Sequence, residues 1–415
     1  MSYLKFDKTV MINLEESLMR EVLRTNRVGA YHSSTVVDCN TRKYHGLLVM
    51  PVPALDEDNH VLLSSLDETV IQHGAEFNLG LHKYGENDFS PKGHKYIREY
   101  TCDTVPRTLY RVGGVIFSKE KVFSQYENRI MIKYTLEDAH SATTLRFRPF
   151  LAFRNVKDLT YANNNLNQSY TEVPNGIKMC LYAGYPNLFM QFSKKATFVY
   201  DPQWYYGIEY PKEQERGYPY KEDLFVPGYF ELPIKKGESV IFSAGDCQTA
   251  TTRLKSLYET EAQCRTPRTN FFNCLKNSAQ QFYFRPTADD AYLLAGYPWF
   301  KVRARDLFVS APGCTLAIDD PVRFEKIMAT CLPALSAFME DGAEDNVIKE
   351  ISEPDVLLWA IWAIQQYAKE MGIEKTNELY KEFVEEAIQY ILDQIHPNLH
   401  VMDIGLIFAD GGKDK

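Results

Sequence analysis

Three short stretches carry residue types that could do chemistry. The densest is Ala295-Gly-Tyr-Pro-Trp-Phe-Lys-Val-Arg-Ala-Arg-Asp306. Gly296 and Pro298 force an irregular backbone there. Tyr297 and Trp299 offer flat apolar faces with polar handles, and Arg305 and Asp306 set opposite charges beside them. An aromatic platform next to hydrogen-bonding charges can hold a neutral polyhydroxylated ring. The same composition also describes a loop packed on a domain interface, with Arg305 and Asp306 ion-paired. The residues alone leave both readings open.

The second stretch is Glu353-Pro-Asp355-Val-Leu-Leu-Trp359-Ala-Ile-Trp362. Asp355 falls at the start of a predicted helix, and Trp359, four residues on, shares its face. Desolvation against a tryptophan wall raises a carboxyl's proton affinity, which a general acid needs. The helix N-terminus works the other way. For an isolated aspartate at that position, a plain N-cap is the simpler reading. The third stretch, Asn40-Thr-Arg-Lys-Tyr-His-Gly-Leu-Leu48, reads as a turn entering a buried strand, with His45 structural rather than catalytic. No Ser/His/Asp order, phosphate loop or dinucleotide fingerprint occurs, and the nine histidines lack metal-ligand spacing. No metal and no cofactor are expected.

These stretches must be positioned by the elements around them. A chain of 415 residues has room for two or three domains with a sizeable core. Up to about residue 250, β-like runs alternate with turn signals, at 47–52, 61–64, 115–123, 129–136, 144–150, 176–181, 188–192 and 239–244. This texture predicts a large antiparallel sandwich. Residues 11–24 are the one early helix candidate, although Glu-Val-Leu there could begin a strand. Residues 209–228 read as a long polar and aromatic loop with three prolines. Helical spacing then takes over at 253–284, 322–339, 356–371 and 377–395. The expected division is a β domain at 1–252, a helical linker at 253–286 and an all-α domain at 287–415.

The formal charge of −9 argues against a nucleic-acid partner. The 13% aromatic share, with 27 Tyr and 24 Phe, leans weakly towards sugar faces and equally suits a large core. There is no secretory h-region at the start and no apolar run of membrane-spanning length. The eight cysteines are scattered without a C-x-x-C pair, which predicts reduced, mostly buried thiols in a cytoplasmic protein without a membrane partner.

Read together, the segments resemble the bacterial and archaeal glycogen debranching enzymes of the amylo-alpha-1,6-glucosidase type. Thr25-Asn-Arg-Val-Gly-Ala-Tyr31 is similar to the family's T-N-G-x-G-G-Y. Asn40 to Leu48 is similar to its N-T-R-[RK]-Y-H-G-L-L, and Arg148-Pro-Phe-Leu-Ala-Phe-Arg154 to its R-P-x-L-A-x-R strand. Glu209-Tyr-Pro through Pro227-Gly228, with Glu215-Arg-Gly and Glu222-Asp-Leu-Phe inside, resembles its interface loop. Ala295 to Phe300 resembles the entry to its catalytic domain.

The resemblance implies an N-terminal β-supersandwich followed by an (α/α)6 toroid. It implies inverting hydrolysis of α-1,6 branch points in glycogen or limit dextrins, with an α-glucan as partner. Asp355 lies where this group has its D-A-x-L-W-type segment, so it takes the general acid's role; Tyr297, Trp299, Arg305, Asp306 and Trp359 would line the glucose pocket. Two departures stand out. The family's G-[DE]-W-G-R-D is Lys301-Val-Arg-Ala-Arg-Asp306 here, so Arg303-Ala304 replaces Trp-Gly. A full toroid also needs roughly 300 residues, and fewer than half that number follow the joint. The expectation is a partial toroid that holds the acid without the base, and no glucosidase turnover by this chain alone. The alternatives are a non-catalytic glucan-binding homologue and an inverting disaccharide phosphorylase of the same architecture.

Overall fold

The structure is a computed structural model that describes residues 2–409. The chain divides into two compact units between Asn277 and Ser278.

The first unit is built from two antiparallel sheets. One has nine strands, in spatial order Lys5–Asp7, Ile97–Cys102, Pro106–Val112, Val115–Phe123, Arg129–Asp138, Ser239–Gly245, Leu188–Phe192, Gly176–Met179 and Tyr170–Val173. The other runs Thr197–Glu209, Lys221–Ile234, Thr143–Asn155, Asn59–Gln72, Gly46–Pro51, Tyr31–Thr35 and Glu21–Thr25, with Ala75–Asn78 added beside Asn59–Gln72. The two-residue period of a strand sends alternate side chains into the space between the sheets. Tyr134 and Phe192 of the first sheet interleave there with Phe147 and Phe230 of the second, at centroid spacings of 4.8, 5.1 and 5.2 Å along the row. Charge is buried in the same layer. Lys119 lies 2.8 Å from both Asp38 and Glu68, and Tyr134 donates to Glu68 at 2.6 Å. The tight turns form as expected, with Gly113, Gly114, Asn175 and Gly237 all at positive φ.

Three readings are corrected. The early helix candidate is two short helices, α1 (Lys8–Ile12) and α2 (Leu14–Leu18), followed by the strand Glu21–Thr25. Asn13 separates them, because its side chain accepts from the Glu16 N–H and restarts the helix. Residues 209–228 are not a loop. They hold the end of one strand, the short helix α3 (Pro211–Glu215) and most of the next strand. A buried pair explains the order: Arg154 forks onto Glu222, which is fully buried and also accepts from Tyr210. Of the eight free cysteines only Cys39, Cys102 and Cys331 are buried, while Cys247 and Cys264 are exposed.

Helix α4 (Leu254–Gln263) packs Leu254 and Tyr258 on Val122, Met131 and Ile241, the outward face of the nine-stranded sheet. The start of the 253–286 segment is thus part of the β unit's own packing. Helix α5 (Phe271–Ala279) follows.

The second unit is helical: α6 (Ala304–Cys314), α7 (Pro321–Asp341), α8 (Val356–Met371) and α9 (Ile373–Leu392). Gly372 alone joins α8 to α9, at φ 89°. Phe324 stacks on Tyr367 at 5.1 Å and Tyr380 meets Tyr367 edge-on at 5.4 Å, tying α7, α8 and α9 into one core. Helix α6 lies in a stretch whose pattern predicts none; Pro312 sits inside it. The order of the chain is therefore β, then α. Among the described residues no helix is long and apolar enough to cross a membrane.

Candidate active site

The predicted site residues lie in the helical unit. Residues 295–301 fold back on themselves, with Ala295 N–H donating to the Lys301 carbonyl and Phe300 N–H to that of Gly296, both at 2.9 Å. Trp299 sits in this reversal, 47% exposed. Tyr297 is half-buried and packs on Phe282 at 6.4 Å. The chain then runs parallel to the segment before α8. Lys349 N–H donates to Val302 and Ala304 N–H to Lys349, each at 3.0 Å. This backbone zipper sets the first turn of α6 beside the first turn of α8.

The consequence is a fork. Arg305, in the first turn of α6, donates from Nε to Asp355 Oδ2 at 2.7 Å and from Nη2 to Oδ1 at 2.8 Å. Trp359 Nε1–H donates to Oδ2 at 3.0 Å, one helical turn along α8. Trp362 meets Trp359 edge-on at 5.5 Å. Glu353 Oε2 stands 3.9 Å from Nη2 of the same guanidinium. The Asp355 side chain keeps 26% of its surface exposed, so the cluster is lined but open.

Two expectations about Asp355 change. It stands at the N-cap position of α8, but its backbone is helical and its side chain makes no capping bond. The carboxyl has turned away to the guanidinium and the indole. Nor is its proton affinity raised. Burial pushes it up, but the hydrogen bonds from Arg305 and Trp359 prevail and hold the carboxyl below the usual carboxylate range. The tryptophan wall acts here as a polar donor rather than as an apolar screen.

The structure thus brings Arg305, Asp355 and Trp359 into direct contact. Asp306, next on α6, is exposed, and its charge suits the helix N-terminus. Arg303, in place of the family's tryptophan, lays its guanidinium over the Phe300 ring at 4.5 Å and reaches Glu350 at 3.6 Å. Sequence reasoning missed the roles of Lys349 and Glu350. Lys349 acts through backbone bonds that no side-chain pattern marks. Glu350 adopts φ 60°, which a glutamate gives no hint of.

In the β unit the Asn40–Leu48 stretch is structural, as expected. Asn40 bonds Ser34 and Ser64. His45 Nδ1 accepts from Thr41 N–H at 3.1 Å, and burial lowers the ring's proton affinity. A groove of about 650 Å³ between α7 and α9 contains none of the predicted site residues.

A strand-rich unit is thus followed by a helical unit that carries a carboxyl group bonded to an indole. The family profile "Glycogen debranching enzyme N terminal" matches residues 20–241, and "Amylo-alpha-1,6-glucosidase" matches residues 276–412. The chain belongs to the glycogen debranching enzyme family of glycoside hydrolases. No curated protein matches it. Among solved structures, a bacterial glucoamylase complexed with acarbose aligns at 10% identity over 94% of this chain and 68% of that one, with a TM-score of 0.38. A polysaccharide lyase aligns at 9% identity over 91% and 69%, with a TM-score of 0.21.

Proposed function

We propose that this chain carries Asp355 as the general acid of an enzyme that hydrolyses α-1,6-linked glucose at branch points of glycogen or limit dextrins, with inversion. The observation that carries the reading is the seat of Asp355, an open carboxyl group between a guanidinium and an indole. In this reading Asp355 protonates the bridging oxygen, while a second carboxylate activates water from the opposite face of the ring. Tyr297, Trp299 and Trp359 supply surfaces for glucose rings, and Arg305 and Asp306 bond its hydroxyls. The helical unit is read as the first half of an (α/α)6 toroid, behind a β domain at 1–252 and a linker at 253–286. Eight free cysteines suit a reducing cytoplasm.

The test is to incubate the purified protein with a branched limit dextrin and follow the anomers of released glucose by NMR. β-Glucose appearing first, and absent with Asp355→Asn, supports the reading. α-Glucose first, or equal rates for the variant, defeats it. A second reading, a glucan-binding homologue without turnover, is favoured by the two-point fork from Arg305, which pairs Asp355 as an anion. Dextrin binding with no glucose released supports that one.

A further inference from the structure

Asp355 is held in a state that cannot give a proton. Its Oδ2 accepts from two N–H groups, Arg305 Nε and Trp359 Nε1, and its Oδ1 accepts from Arg305 Nη2. All three donors favour the anion, and the two from the guanidinium are charge-assisted. The N-terminus of α8 adds to them. A proton arriving on Oδ2 would face two donors and displace both. Yet an acid in an inverting site has to be protonated before each turnover.

The same cluster holds a way out. Nη2 of the guanidinium faces two carboxylates, bonded to Asp355 Oδ1 at 2.8 Å and 3.9 Å from Glu353 Oε2. Both carboxylates and the guanidinium are only partly exposed, at 26%, 17% and 18% for Asp355, Glu353 and Arg305. A small swing of Arg305 from one carboxylate to the other keeps its charge paired.

We infer that Arg305 is a positioning residue that locks Asp355 as a carboxylate, and that a glucan hydroxyl group bonding the guanidinium draws it towards Glu353 so that Asp355 can take up a proton. The inference rests on the acid role proposed for Asp355. Once released, Asp355 takes one proton from solvent. It passes that proton to the bridging oxygen as the bond from that oxygen to the anomeric carbon breaks, and the oxygen keeps the bond's electron pair. Water, losing its proton to the second carboxylate, adds to the anomeric carbon. Asp355 is left as a carboxylate, and Arg305 re-engages.

The Trp359 indole N–H touches Asp355 directly, so its ¹⁵N resonance reports the ionisation without any turnover. The four tryptophans give four indole signals, and Trp359→Phe identifies the right one. In the unliganded protein the signal is expected to titrate below the ordinary carboxylate range. Arg305→Gln is expected to move the midpoint up by about one to two pH units, as loss of an adjacent opposite charge does. Arg305→Lys, which keeps the charge without the fork, should fall between. Saturating branched dextrin should raise the midpoint in the wild type and leave Arg305→Gln unchanged; in Glu353→Gln the rise should shrink. An Arg305→Gln or Arg305→Lys midpoint equal to that of the wild type overturns the lock. Dextrin that binds without moving the wild-type midpoint overturns the release and leaves the acid role standing. Dextrin that does not bind overturns the site reading itself.

Discussion

Arg305 and Asp355 stand fifty positions apart in the chain and meet in a two-point fork, 2.7 and 2.8 Å long. Neither residue is placed by its own neighbours. The backbone bonds between Val302, Ala304 and Lys349 bring the first turns of α6 and α8 side by side. Asp355 then gives up the capping bond open to it for a stronger, charged partner. Arg305 and the segment from Asp355 to Trp359 are two halves of one cluster.

Asp355→Asn preserves the shape of the side chain and removes its proton. In an active enzyme we expect hydrolysis of branched dextrin to fall by at least about 100-fold, the usual weight of a general acid. Calorimetric binding of the same dextrin should stay within a few-fold. Near-normal rates would shift the acid to Glu353.

His32 predicts an acid-sensitive β unit. Its Nδ1–H donates to the Gly46 carbonyl at 2.9 Å within the sandwich. Burial, aided by Lys121, lowers its pKa from 6.5 to about 3. The folded protein therefore keeps the ring neutral, while the unfolded chain protonates it below about pH 6.5. Stability present at neutral pH should drain away as pH falls from about 6.5 towards 3, at ~1.4 kcal/mol per pH unit for this one group. His32→Asn, which retains a donor near the Nδ1 position, should flatten the slope by that amount in urea titrations at pH 7 and pH 5.

Glu222→Gln tests the buried pair that orders residues 209–228. It leaves the Arg154 guanidinium, 5% exposed, without its counter-charge. Breaking one side of such a pair costs about 3–5 kcal/mol. Replacing both partners, with Arg154→Met and Glu222→Leu, should recover most of the loss. Urea denaturation of the single and the double variant checks this, and an undiminished loss in the double variant would mean that packing rather than charge sets the cost.

Arg303→Ala removes a stacked guanidinium and a partly exposed ion pair, 38% and 34% exposed for Arg303 and Glu350. Such contacts contribute little, so the loss of stability should stay below about 1–2 kcal/mol. Arg303→Trp restores the family's residue over Phe300 and should tighten dextrin binding. A weaker complex would mean that Arg303 itself contacts the glucan.

Much of the β unit is legible in the chain. The runs at 115–123 and 188–192 coincide with strands, because alternation and flanking turns are local properties. Helix α8 is equally plain at 356–371, where a long apolar face repeats at helical spacing. Helix α6 is not, since it starts directly after a backbone reversal and carries Pro312 in its interior. Residues 209–228 mislead for a similar reason: three prolines mark turns in any local reading, and the contact that orders the segment comes from Arg154 on another strand.

The sequence by itself determined the order of sheets and helices and the family motifs. Only the tertiary structure decided the chemical state of Asp355. Period and propensity are fixed by neighbours a few positions away, whereas a carboxyl's ionisation depends on the charges and donors within a few ångströms. For Asp355 the strongest of these arrives from a different helix, and it reverses what the adjacent tryptophan would suggest.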